Sequence, residues 1–159
     1  MKRTASKRAV EWLAAAAPDP RKCKRDWEHG ESGTTLLAAG RLWDVLIVPE
    51  DLGLFTLDVL LRLPLFDPGP VLADFDSHRI GFFLPPDTSS LWTGAGVRYA
   101  RKGTWIVAPA PMRTTGAIRW LEPPDGSGLL NSPDILELAL RRAAVQLATT
   151  LEGSGTGAH

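Results

Sequence analysis

Between Gly96 and Gly126 the chain reads GVRYARKGTWIVAPAPMRTTGAIRWLEPPDG. Apolar and polar residues alternate in three short runs, GVRYA, GTWIVAPA and GAIRWLE, and glycines and prolines cut each run from the next. Alternation with a period of two belongs to a strand with one face buried, and Gly and Pro between such runs make tight turns. Three strands joined by tight turns, taken with the element order of the whole chain, suit a mainly antiparallel sheet.

The rest of the chain supplies its cover. Residues 5–17 read as a helix stopped by Pro18. Asp19 caps a second helix, with Pro20 at its first position, running to about Gly30. TTLLAAG and RLWDVLIVPE read as two strands broken at Gly40 and Arg41. Residues 53–63 form a helix ended by Pro64 and DPGP, VLADF and RIGFFLPP are strands separated by DSH, and TSSLW makes one helical turn. After the loop PPDGSG, Ser132 caps a helix that starts at Pro133. Its Leu136, Leu140, Ala143 and Leu147 recur as one buried stripe. The expected fold is α+β, an antiparallel RRM-like or primase-like sheet with helices packed on it. Residues 1–150 make one domain and 151–159 a disordered tail.

The 159 residues are 44% hydrophobic and 23% charged, the balance of a globular domain. Eighteen basic residues offset eighteen acidic ones, but in blocks. Residues 1–29 hold eight Lys or Arg against four acids, residues 42–78 hold Arg62 against seven acids, and residues 79–119 hold six basic residues against Asp87. Such blocks make opposed patches or neutralise each other on folding. The single cysteine, Cys23, excludes an intrachain disulfide and a cysteine-rich zinc site, and suits a reducing cytoplasm. Lys22 and Lys24 on either side would lower its pKa; the alternative is a structural thiol. No run is long and apolar enough for a membrane span, and Glu11 interrupts the only stretch resembling a signal peptide.

The order of these motifs resembles the bifunctional DNA primase/polymerase (prim-pol) domain of the archaeo-eukaryotic primase superfamily. DPRKCKRDWEHGESGTTLLAAGRLWDVLIVPEDLG is similar to the family's opening, GPVLADFDSHRIGFFLPP to its approach to a histidine and an aromatic strand, and GVRYARKGTWIVAPAPMRTTGAIRW to its turn, Ala-Pro strand and Trp strand. The resemblance spans roughly residues 19–145 and implies a cleft for nucleotide and template, with DNA, RNA or nucleotides as partners. It also implies two divalent metals held by carboxylates, which clamp the attacking and leaving oxygens. Two elements depart from the pattern. The metal strand should end in Asp-x-Asp but reads VLIVPED, with apolar residues such as Val48, or Pro49, at those positions. The family histidine falls near Ile80, whereas the histidine present is His78.

Three readings follow. The first is a prim-pol-like nucleic-acid or nucleotide-binding domain without an intact two-metal centre. The basic set Arg98, Arg101, Lys102, Arg113 and Arg119 would then contact phosphates, with Trp105 and Trp120 as stacking faces. Arg119 and Trp120, adjacent on a strand, must face opposite ways. The second reading is a divergent primase/polymerase, with catalysis on Asp74, Asp76 and His78 and Mg²⁺ or Mn²⁺ held by Asp44, Glu50, Asp74 and Asp76. Asp74 and Asp76 would share one face of a strand, as a divalent metal requires; the same residues also read as a polar turn. The third is a regulatory scaffold that binds a protein partner. No P-loop, nucleophile elbow or His-Glu-x-x-His motif is present.

Overall fold

The computed structural model describes residues 2–29, 33–64, 67–88, 94 and 96–156. Its elements are α1 (Lys2–Ala14), α2 (Pro20–His29), β1 (Thr34–Ala38), β2 (Asp44–Pro49), α3 (Glu50–Leu61), β3 (Val71–Asp74), β4 (Arg79–Leu84), β5 (Arg98–Ala100), β6 (Trp105–Pro109), β7 (Ile118–Glu122) and α4 (Pro133–Thr156). The fold is α+β, with helices on an antiparallel sheet. Of the expected helical turn TSSLW, residues 89–92 lie outside the described residues.

Five strands form one sheet in the order β5-β2-β4-β3-β7, each neighbouring pair antiparallel. β4 is inserted between β2 and β3, so those two run parallel and α3 crosses over from one to the other. This is the split βαβ arrangement of an RRM-like sheet. β1 does not join it. β1 pairs antiparallel with β6 in a separate two-stranded ribbon, in register from Thr34 against Pro109 to Ala38 against Trp105.

Alternation sends the sheet's side chains to two cores. Leu46, Val48, Val71, Ala73, Ile80 and Phe82 point towards α3 and α4, where they meet Leu57, Leu60, Leu136, Leu140 and Ala143. Val45, Leu72, Phe83, Ala100 and Trp120 point the other way, against α1, α2 and the inner face of the ribbon, Leu37 and Ile106. Trp43, Phe83 and Trp120 stack through this second core, with ring centroids 4.6 Å and 5.4 Å apart at tilted angles.

Local chemistry sets the element ends. The backbone N–H of Lys22 donates to Oδ1 of Asp19 at 3.2 Å, which caps α2. α1 stops at Ala14 instead of reaching residue 17, because Ala16 and Ala17 switch to the tighter bonds to the carbonyls of Leu13 and Ala14. α3 begins at Glu50, three residues before the expected start. Pro49 holds an extended ψ of 150° and closes the strand, and Glu50 and Asp51 place negative charge on the helix's first turn. α4 continues through residues 151–156 of the segment expected as a tail.

Asn131 is a fastening that no sequence pattern announces. Fully buried, it accepts from the N–H of Gly69 at 2.9 Å and donates from Nδ2 to the carbonyls of Pro70 and Phe83, both at 3.0 Å. It thus ties the entry to β3 and the end of β4 to the entry of α4.

Candidate functional site

The ribbon and helices cover only part of the second face of the five-stranded sheet. At the end where β2 stops and β3 turns into β4, a cleft of about 510 Å³ stays open. Its floor is Val45, Ile47, Leu72 and Gly81. Gly81 lies opposite both Ile47 and Leu72, and a Cβ there would come within 2.9 Å of Val45 Cγ1. The floor is bare at that point for lack of a side chain.

One wall is the ribbon. Trp105 and Val107 are 52% and 45% exposed and line the cleft. They alternate with Ile106, which is buried. The rim carries the charge, from Asp74, Arg79 and Arg98. Register brings these together: Pro49 faces Arg79, Arg79 faces Asp74, and Ile47 faces Arg98. The Arg79 guanidinium donates to the Gly96 carbonyl at 2.8 Å, which fixes it at the mouth. Arg98 is exposed, with no ion-pair partner among the described residues. Oδ1 of Asp74 accepts from the N–H of Ser77 at 3.1 Å. Two guanidinium groups against one carboxylate give the mouth a positive balance.

No family model, no curated protein and no solved structure matches this chain.

The basic set read from the sequence is dispersed. Arg98 alone among its members lines the cleft. Arg101 lies over the Tyr99 ring at 4.4 Å, and Arg119 over the Phe75 ring at 4.5 Å. β5 and β7, which bring these two pairs, are opposite edges of the sheet. Lys102 is exposed in the turn after β5, with its backbone packed close to Gly40, and Arg113 sits between β6 and β7, where its carbonyl accepts from Trp120. Trp120 offers no stacking face. It is 2% exposed and its indole N–H donates to the carbonyls of Pro109 and Ala110. Arg119 and Trp120 do lie on opposite faces, as alternation requires.

The acidic candidates do not converge either. Strand β3 ends at Asp74, and Phe75–His78 form a turn, so Asp74 and Asp76 do not share a strand face. His78 adopts a left-handed φ of 57°, and its Nδ1 lies 3.3 Å from Oε1 of Glu50 at the outer end of the turn. Asp44 is buried at the far end of β2 and on the opposite face, where it accepts from the Tyr99 hydroxyl at 2.9 Å and the N–H of Asp87 at 3.0 Å. Among the described residues no three His, Cys, Asp or Glu side chains gather to hold an ion. Asp74 is the one carboxylate of these that reaches the cleft. These residues do not fit a two-metal centre.

Val48 and Ile80, set by the resemblance at the metal and histidine positions, face each other across β2 and β4 and are wholly buried under α3 and α4. A step of one residue along a strand reverses the face. The cleft is therefore served by their neighbours, Ile47, Arg79 and Gly81. Sequence reasoning missed Arg79 for this reason: a basic residue before an apolar run reads as a strand's solvated end. The one available signal was its parity with Gly81.

The Cys23 thiol takes the opposite course from the one its lysine neighbours suggested. Burial pushes its pKa up to about 11, outweighing the nearby ammonium groups of Lys22 and Lys24. It is a free, buried thiol on the core side of α2.

Proposed function

We propose that the chain is a prim-pol-like nucleotide- or nucleic-acid-binding domain without a two-metal centre, and that the cleft over Gly81 is where the ligand sits. The observation that carries this reading is the pairing of Arg79 and Arg98 at the mouth with the half-exposed indole of Trp105 on the wall. Guanidinium groups bind phosphate through charge-assisted, often bidentate hydrogen bonds. An accessible indole stacks on any base. The apolar floor suits the flat face of a base better than a phosphate, so phosphates would sit at the mouth and the base inside. Asp74, an acceptor on the same rim, suits a sugar hydroxyl or an exocyclic amine. Val48 and Ile80, the positions that the prim-pol resemblance emphasises, do not line the cleft, so the reading rests on Arg79, Arg98 and Trp105.

Titration calorimetry with nucleoside triphosphates and with an oligothymidylate, at stepped salt, tests it. Binding that weakens about tenfold or more in Arg79→Glu and in Arg98→Glu supports the proposal. Trp105→Ala should cost about 1–3 kcal/mol, the worth of one stacked base. Failure of both ligands to bind at millimolar concentration, or affinities indifferent to these three changes, overturns it.

A further inference from the structure

A second concave surface lies on the other side of the ribbon, between α1 and α2. On α2, Arg21, Lys24, Arg25 and Glu28 recur at spacings of three, one and three, and so share one face. Cys23 and Trp27, four apart, occupy the buried face, and the Trp27 indole N–H donates to the Ala108 carbonyl at 3.4 Å. Lys7, Val10 and Glu11 make the matching face of α1. The two faces enclose a groove of about 580 Å³, which Met112 also lines.

Its chemistry is of two kinds. The floor is apolar, built from Val10, Trp27 and Met112, and the Met112 side chain is 55% exposed. The walls are mainly basic. Glu11 is already engaged, with both its oxygens within 2.9–3.1 Å of Lys24 Nζ. That leaves Lys7, Arg21 and Glu28 along the walls.

We infer that this groove docks an acidic amphipathic helix of a protein partner. An apolar stripe would cover Val10, Trp27 and Met112, whose flexible thioether adapts to the facing side chains. Carboxylates beside that stripe would meet Lys7 and Arg21, and the helix-in-groove mode needs both features together. This surface is distinct from the cleft over Gly81.

The test is fluorescence anisotropy with a labelled synthetic helix that carries leucines at i, i+3, i+4 and i+7 with flanking glutamates. The comparison probes are a scrambled peptide of the same composition and a labelled oligothymidylate. The expected result is binding of the amphipathic peptide at least about tenfold tighter than the scrambled one, about 1.4 kcal/mol. It should fall about tenfold in Lys7→Glu/Arg21→Glu and in Met112→Asp, with circular dichroism unchanged. Equal binding of the scrambled peptide, tighter binding of the oligothymidylate through Lys7 and Arg21, no binding of any probe, or indifference to either substitution overturns the inference.

Discussion

The hydroxyl of Tyr99 donates to Oδ2 of Asp44 at 2.9 Å, and so joins the start of β2 to the edge strand β5. Asp44 is fully buried, and its second donor to that oxygen is the backbone N–H of Asp87. The carboxylate acts as a fastener between three segments. Tyr99→Phe removes the O–H and leaves a buried acceptor short of a partner, which should cost about 1–3 kcal/mol in urea unfolding. Tyr99 is also the only tyrosine. Burial, and then the hydrogen bond to Asp44, raise its pKa above the ordinary value of 10. A raised phenol favours folding while it stays protonated, so this contribution is whole below about pH 10 and lost as pH climbs through the folded-state value. Tyrosinate absorbance should rise later in the native protein than in urea. Coincident titration curves would contradict the contact.

Gly53 lets α3 lie against β4. A Cβ at this position would stand 2.4 Å from Ile80 Cβ, which is backbone-proximal and cannot swing aside. Gly53→Ala must therefore lift the helix from the sheet, even though alanine favours helix. Overpacking of this kind costs about 1–3 kcal/mol, which corresponds to a loss of roughly 2–4 °C in Tm for each kcal/mol in a chain of this size. A Tm equal to or above that of the parent protein would show that the helix has room to spare.

Cys23 is 2% exposed and its thiol pKa is pushed up to about 11. At pH 8 the thiolate is scarce and shielded. Native protein should react with an aromatic disulfide reagent far more slowly than protein in denaturant, with the native rate set by transient opening. Equal rates in the two conditions would place the thiol at the surface.

Asn131→Ala withdraws one acceptor and two donated hydrogen bonds from buried backbone groups at Gly69, Pro70 and Phe83. The two carbonyls keep backbone donors, the Phe83 N–H on Pro70 and the Asn131 N–H on Phe83, so the Gly69 N–H is the group left unpaired, at a cost of about 1–3 kcal/mol. Asn131→Asp keeps that acceptor but turns a buried carboxylate oxygen towards the two carbonyls, so it should restore little. Chemical denaturation of the pair measures this, and a loss below about 1 kcal/mol in the alanine variant would mean that water replaces the side chain freely.

Much of the fold was legible because its signals are local. Asp19 with Pro20 marks the start of α2, the stripe from Leu136 to Leu147 marks the buried side of α4, and the alternation after Gly96 marks three strands. What local signals cannot carry is partnership. Nothing in TTLLAAG says that β1 will leave the larger sheet and pair with β6, since that choice depends on residues some seventy positions away. The site was legible only in part for the same reason. Of the basic residues read from the sequence, Arg98 lines the cleft, but Arg79 enters it only through its register with Pro49 and Asp74, and Trp105 shows its exposed face only once the ribbon is placed. The tight Asp74–His78 segment shows how a short span satisfies two patterns: Asp-x-Asp reads as a metal strand or as a turn, and the strand's end at Asp74 decides for the turn.

The ribbon's long-range closure bears on how the protein is made. Residues 34–38 leave the ribosome well before residues 105–109, so an emerging chain that has already laid β2 beside β4 still lacks the Trp105 wall. Such distant pairing comes late and slowly. The Trp105 wall of the cleft must therefore wait until Pro109 has cleared the exit tunnel.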